Sequence, residues 1–295
     1  MFRRHLDAAL VVLALVLLVA LGIATGTPLF ERLRSSRLTF LTLAAVPLAL
    51  GYALVKVPGA RAFRFGLDWT PIVGLLAVYE SLKHMHANRI TVWLGIAPKD
   101  ALMLRLDELL FGRALPLHLQ WMAVPWFTNV MWFAYAWVYY LAPVVMLAWA
   151  YAHERALFVR LRRALVIGLL GGYVCYLLVP VAGPLFLVGE QFRVPIRTQP
   201  ELQRLTFSTL RYNWDCFPSL HTAVPWFLTL VAWPRLRTWA RALAVLASLA
   251  VTLSTVALRF HYGVDLIAGI MWAVLVWRIS STIGALGPVV PRPTI

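Results

Sequence analysis

Long apolar runs separated by short polar segments recur along the whole chain, and the two-residue alternation of half-buried strands does not dominate any part of it. The runs cover 8–24, 38–55, 69–82, 130–151, 164–181, 220–233, 240–258 and 262–279. Backbone amides in lipid must be satisfied within their own segment, so each run is expected to be a helix. Crossing a bilayer takes about 20 apolar residues, and 69–82 and 220–233 fall short of that. The pattern therefore predicts an all-α, polytopic membrane helical bundle of six to eight transmembrane helices, with eight as the working number. Between the third and fourth runs, Pro98-Lys99-Asp100 opens a stretch in which Leu102, Leu106, Leu109 and Leu110 recur at helical spacing. Arg105, Asp107 and Glu108 take the other side and Gly112 follows. With those start and stop signals, it reads as an amphipathic interfacial helix.

Composition strengthens this picture. Of 295 residues, 61% are hydrophobic and 13% charged, and the mean hydropathy is +0.77, outside the range of ordinary soluble domains. A net charge of +15 would suit nucleic acid, but the basic residues stand in short segments between apolar runs, so membrane orientation explains them and no nucleic-acid partner is expected. The tightest clusters are Arg155, Arg160, Arg162 and Arg163, then Arg235, Arg237 and Arg241. Both fall on the side of the N-terminus, which places the termini in the cytoplasm and the opposite loops on the non-cytoplasmic face of the cell membrane. The run at 8–24 follows Arg3-Arg4, and the many later runs favour a retained first helix over a cleaved signal. Thirteen Trp suit interfacial belts, and Cys175 and Cys216 are expected to be free thiols.

Two polar blocks stand where apolar runs begin, a place where an ionisable group is costly unless paired or used. One is Pro218-Ser219-Leu220-His221 and the other is Arg259-Phe260-His261-Tyr262 with Asp265. His261 and Asp265 are four apart, so they share a face if the last helix begins by His261. The carboxylate would then hold the imidazole tautomer and stabilise the cation formed as the other ring nitrogen attacks phosphorus. His221 can serve as acid and then base. Ser219 can cap the helix whose first amides suit a phosphate. The long polar loop 183–217 carries Arg193, Arg197, Arg204 and Arg211. Of the cations available to a phosphate, Arg259 ranks ahead of Arg193 and Arg197; it cannot share a helical face with His261, so a non-helical turn is expected between them. Glu80 and Lys83 read as an interfacial ion pair, and His84 and His86 as interfacial residues. Pro225 is expected to loosen the helix after His221. With no Asp-rich motif to hold magnesium, neither a metal nor a cofactor is expected.

These blocks resemble the second and third signatures of the type 2 phosphatidic acid phosphatase superfamily, usually written Pro-Ser-Gly-His and Ser-Arg-x5-His-x3-Asp. Leu220 in place of Gly, and Thr255 where Arg would follow Ser254, point to a branch similar to fungal inositol phosphorylceramide synthase. The turn Val179-Pro180-Val181-Ala182-Gly183-Pro184 and the Leu109-Leu110-Phe111-Gly112 element add weaker similarity. The resemblance implies a phosphohistidine at His261, with Asp265 as its partner, His221 as general acid and base, and Ser219 on the phosphate. Asp215, six residues before His221, is placed like an Asp of sphingomyelin synthases. Nothing matches the superfamily's basic first signature, Lys-x6-Arg-Pro. The expected division is 1–68 as N-terminal transmembrane helices and 69–295 as the catalytic membrane domain. The expected activity is a lipid phosphotransferase moving a phosphoryl head group, phosphoinositol being one candidate, from a phospholipid donor to a lipid or polyol acceptor. Alternatives are a phosphatase acting on a phospholipid or polyprenyl (pyro)phosphate and, in another class, a non-enzymatic lipid transporter or scaffold. Transporters commonly carry inverted repeats, and none is evident.

Overall fold

A computed structural model describes residues 6–24, 59–84, 91–196 and 214–285. Eight longer helices among the described residues carry the architecture: α1 Leu6–Ala24, α2 Gly59–His84, α3 Asp100–Phe111, α4 Pro125–His153, α5 Arg155–Leu178, α6 Leu220–Ala232, α7 Thr238–Ala257 and α8 Gly263–Ala285. Among the described residues there is no strand, only an isolated bridge between Val181 and Asp215. Four helices among the described residues are long and apolar enough to cross a membrane: α4, α5, α7 and α8 through Thr282. Helix α1 is apolar from Ala8 to its end at Ala24, and the expected run at 38–55 lies outside the described residues. The protein is thus an integral membrane bundle, in which α2 continues without a break across position 68.

The run at 220–233 is the centre of the bundle and does not cross it. At 13 residues, α6 is about 20 Å long, two thirds of a hydrocarbon core, and it packs against α8, α7 and α5. Missing side chains on α5 allow that close approach. A Cβ on Gly172 would stand 2.5 Å from Leu220 Cδ2, and one on Gly168 would stand 2.6 Å from Phe227 Cε1. Leu220, the departure from Pro-Ser-Gly-His, therefore occupies room that Gly172 leaves open.

Helix α4 starts earlier than the hydropathy run suggests. Pro125 takes the first turn and Thr128 Oγ1 donates back to the Val124 carbonyl, so the helix is under way before the run at 130–151 begins. Within α4 the residues Ala134–Val138 form a π turn, in which the Tyr139 amide donates to the Ala134 carbonyl five residues back.

The amphipathic helix is present as α3, and two of its carboxylates face inward. Asp100, Met103 and Asp107 are buried, whereas Leu102, Leu109 and Leu110 are 49%, 80% and 53% exposed. Helical spacing separates two faces; it does not say which is inside when the outside is lipid. The carboxylates turn inward because backbone donors wait for them. Asp100 accepts from the amides of Ala182 and Gly183 at 2.9–3.1 Å. Asp107 accepts from Leu115, Gly263 and Val264 at 2.8–2.9 Å.

At the other end of the bundle, charges meet charges. Buried Arg162 of α5 holds Asp7 of α1 at 2.9 Å and donates to the Asp68 carbonyl of α2 at 3.0 Å. Arg155 pairs with Asp68, its guanidinium 4.1 Å above the Tyr151 ring, and Arg235 pairs with Glu154 at 3.0 Å. Tyr79 near the opposite end of α2 reaches Asp215, close to His221. The arginine clusters and the two histidine blocks therefore occupy opposite ends.

Candidate active site

The site is assembled from two helix starts and the turn that ends α7. That turn reverses at Arg259, whose φ of 65° is left-handed, a conformation that helix ends usually give to glycine. The amides of Phe260 and His261 both donate to the Thr255 carbonyl, which fixes the reversed segment. A sharp turn between Arg259 and His261 was expected; its left-handed form has no glycine to announce it.

Helix α8 begins at Gly263, so His261 precedes the helix and does not stack on its face as expected. The pair still forms, by a different route. Asp265, the third helical residue, folds its carboxylate back onto the Tyr262 amide at 2.9 Å, one half of a capping box. The same Oδ2 lies 3.3 Å from His261 Nδ1. A carboxylate only accepts, so this contact assigns a proton to Nδ1 and leaves the lone pair on Nε2. Asp107 takes the next two amides, and the start of α8 is held by two carboxylates on different helices.

His221 enters from the start of α6. Ser219 caps that helix, its Oγ accepting from the Thr222 amide at 3.3 Å, as expected. The Ser219 amide donates to the Asp265 carbonyl at 3.1 Å, so one backbone bond joins the two sequence blocks. Gly269 permits the contact, since a Cβ there would stand 2.7 Å from the Ser219 carbonyl oxygen. The imidazoles converge, with ring centroids 6.3 Å apart and planes tilted by 54°. Buried Cys216 donates to the Phe260 carbonyl at 3.3 Å, and both cysteines are free thiols.

The remaining site residues divide. Asp215 accepts from the Tyr79 hydroxyl at 2.8 Å and pairs through its backbone with Val181. Arg259 is buried; burial lowers its pKa, but a guanidinium stays charged. Its guanidinium lies 4.1 Å above the Phe192 ring and bonds the Val194 carbonyl, while Nε has no partner among the described residues. Arg193 is exposed, and Gln120 Oε1 holds its backbone amide at 2.9 Å. Arg197 lies outside the described residues. Glu80 is buried near Tyr140 and Tyr173; the side chains of Lys83, His84 and His86 are outside the described set.

Sequence reasoning missed four residues that shape the site. Asp100 and Asp107 are spaced seven apart, two turns along one face, which was a usable sign of a shared partner surface. Burial raises the Asp100 carboxyl pKa, and the Ala182 and Gly183 amides pull it back. Tyr135 and Tyr139 of α4 stack on His221 with centroids 4.1 and 4.0 Å away and planes 9° and 28° from its own. Nothing local marks them among the many aromatics of that run.

Taken together, the fold and site define a helical membrane protein that gathers a His–Asp pair and a second imidazole at one rim. A family profile described as the PAP2 superfamily matches residues 101–279, and the chain belongs to that superfamily. This is the type 2 phosphatidic acid phosphatase group, whose members act as lipid phosphatases and phosphotransferases in membranes. Comparison with curated proteins gave no match, nor did comparison with solved structures.

Proposed function

We propose that the protein is a membrane lipid phosphotransferase that moves a phosphoryl head group from a phospholipid donor to a hydroxyl acceptor through a phosphohistidine. The observation that carries this reading is His261, bonded at Nδ1 to Asp265 with the His221 ring 6.3 Å away. A phosphorus about 3–3.5 Å from His261 Nε2, with its leaving oxygen within about 3 Å of His221, suits that separation. His261 Nε2 attacks phosphorus, the bond to the leaving oxygen breaks, and His221 gives that oxygen a proton. Asp265 stabilises the imidazolium that forms. The acceptor hydroxyl then loses its proton to His221 and attacks phosphorus, and the P–N bond breaks back to His261. No step in this scheme calls on a metal.

Positive charge is still required around the phosphate. Arg259 supplies it in this reading, helped by the start of α6, where Ser219 caps and the helix dipole favours an anion. Arg193 and Arg197 are the second choice. Transfer is favoured over hydrolysis by Leu220 in the Pro-Ser-Leu-His block and by the missing Lys-x6-Arg-Pro signature, both similar to the inositol phosphorylceramide synthase branch. The arginine clusters occupy the opposite end of the bundle, so a cytoplasmic location for them puts the site at the non-cytoplasmic face of the cell membrane.

The test uses the purified full chain in detergent, phospholipids radiolabelled in the phosphate, and a hydroxylated lipid or polyol. The reading predicts a labelled acceptor and its loss in His261→Ala. Free phosphate or free head-group phosphate with no labelled acceptor would make the enzyme a phosphatase. Equal activity in His261→Ala would overturn the mechanism.

A further inference from the structure

The His221 ring is enclosed on both faces. Tyr135 and Tyr139 each stack on it at about 4 Å, tilted by 9° and 28°, and two rings cannot occupy the same face at that distance, so they take opposite faces. Their centroids are therefore about 8 Å apart, more than the roughly 5–6 Å between Cβ atoms of residues four apart on a regular helix. The two side chains must splay, and the π turn Ala134–Val138 lies at that point. Each phenol is braced. Tyr135 meets Phe260 at 4.7 Å and Trp132 at 6.2 Å, and Tyr139 meets Tyr140 at 4.9 Å. Rotating the imidazole about Cβ–Cγ would drive it into both rings, so only its edges remain open.

We infer that Tyr135 and Tyr139 are positioning residues that hold the His221 edge toward the phosphate on His261. The inference rests on His221 being the acid and base of the proposed reaction. An imidazole that swings by about 1 Å costs about a hundredfold in rate, and a planar clamp prevents the swing without using the ring nitrogens.

The experiment compares Tyr135→Met and Tyr139→Met, which fill volume without a flat face, with Tyr135→Phe and Tyr139→Phe, which keep it. Each Met variant should lose about tenfold or more in kcat with KM within about twofold, and each Phe variant should stay within about threefold of the parent. Full kcat in both Met variants would overturn the inference, as would Phe variants no better than Met. A second readout needs no folded Met variant: the ring-nitrogen NMR signals of His221 in the parent, assigned with His221→Gln, should show one conformer. Two exchanging conformers would sink the clamp. His221→Ala separates the two levels: full activity there refutes the proposed function, whereas a dead His221→Ala with unaffected Met variants refutes only the clamp.

Discussion

The two ends of this bundle bury charge in opposite ways. At the arginine end, Asp7, Asp68, Arg155 and Arg162 neutralise one another, and every strong partner is a side chain or carbonyl of a neighbouring helix. At the histidine end, Asp100, Asp107 and Asp265 are satisfied mainly by backbone amides at helix starts. A carboxylate spent on an arginine closes a structure, and its removal leaves a buried charge. A carboxylate spent on amides fixes a backbone without tying up a cation that a phosphate would need. The comparison separates residues that hold the molecule together from residues that aim its chemistry.

Four variants test that separation. Asp265→Asn keeps the shape and removes the charge beside His261, and kcat should fall by about 10³–10⁴ with thermal stability close to the parent. Steady-state assays alongside melting curves in detergent would decide it; a stability loss without a rate loss would place Asp265 with the structural group. Arg162→Met should do the reverse. It leaves Asp7 and Asp68 poorly paired and should cost about 3–5 kcal/mol, with activity per folded molecule unchanged, a result measurable by unfolding in detergent–denaturant mixtures.

Asp107→Ala strips the caps of Leu115, Gly263 and Val264 and should cost about 1–2 kcal/mol. Because those amides start the helix that presents Asp265, kcat should drop about tenfold or more as well. Arg259→Gly has the smallest effect on stability and its sign is informative. Glycine relieves the left-handed backbone and should stabilise by about 0.5–1 kcal/mol, while loss of the cation raises KM for the lipid phosphate. Unchanged KM would remove Arg259 from the phosphate site.

Much of this was readable before any coordinates. His221, His261, Asp265 and Ser219 stood out as ionisable and capping residues at the mouths of apolar runs, and the structure brings them together. The helical bundle followed from the runs alone. What could not be read had physical reasons. Asp100 and Asp107 stayed hidden because the amides that draw them inward come from segments far along the chain. Helix α8 begins two residues after His261, beyond a left-handed turn at Arg259 that no glycine announces. The clamp on His221 depends on a π turn, which hydrophobic periodicity does not encode, and α6 proved central because the glycines of a distant helix admit it.

The most direct test of the account is an acid-sensitive phosphoryl enzyme. After brief mixing with phosphate-labelled lipid donor and no acceptor, the full chain should carry label that survives base, is lost in mild acid, and maps to the peptide containing His261. It should be absent from His261→Ala and should discharge onto added acceptor. Turnover by the parent with no label trapped at His261 under any quench, or with label on another residue, would contradict the account.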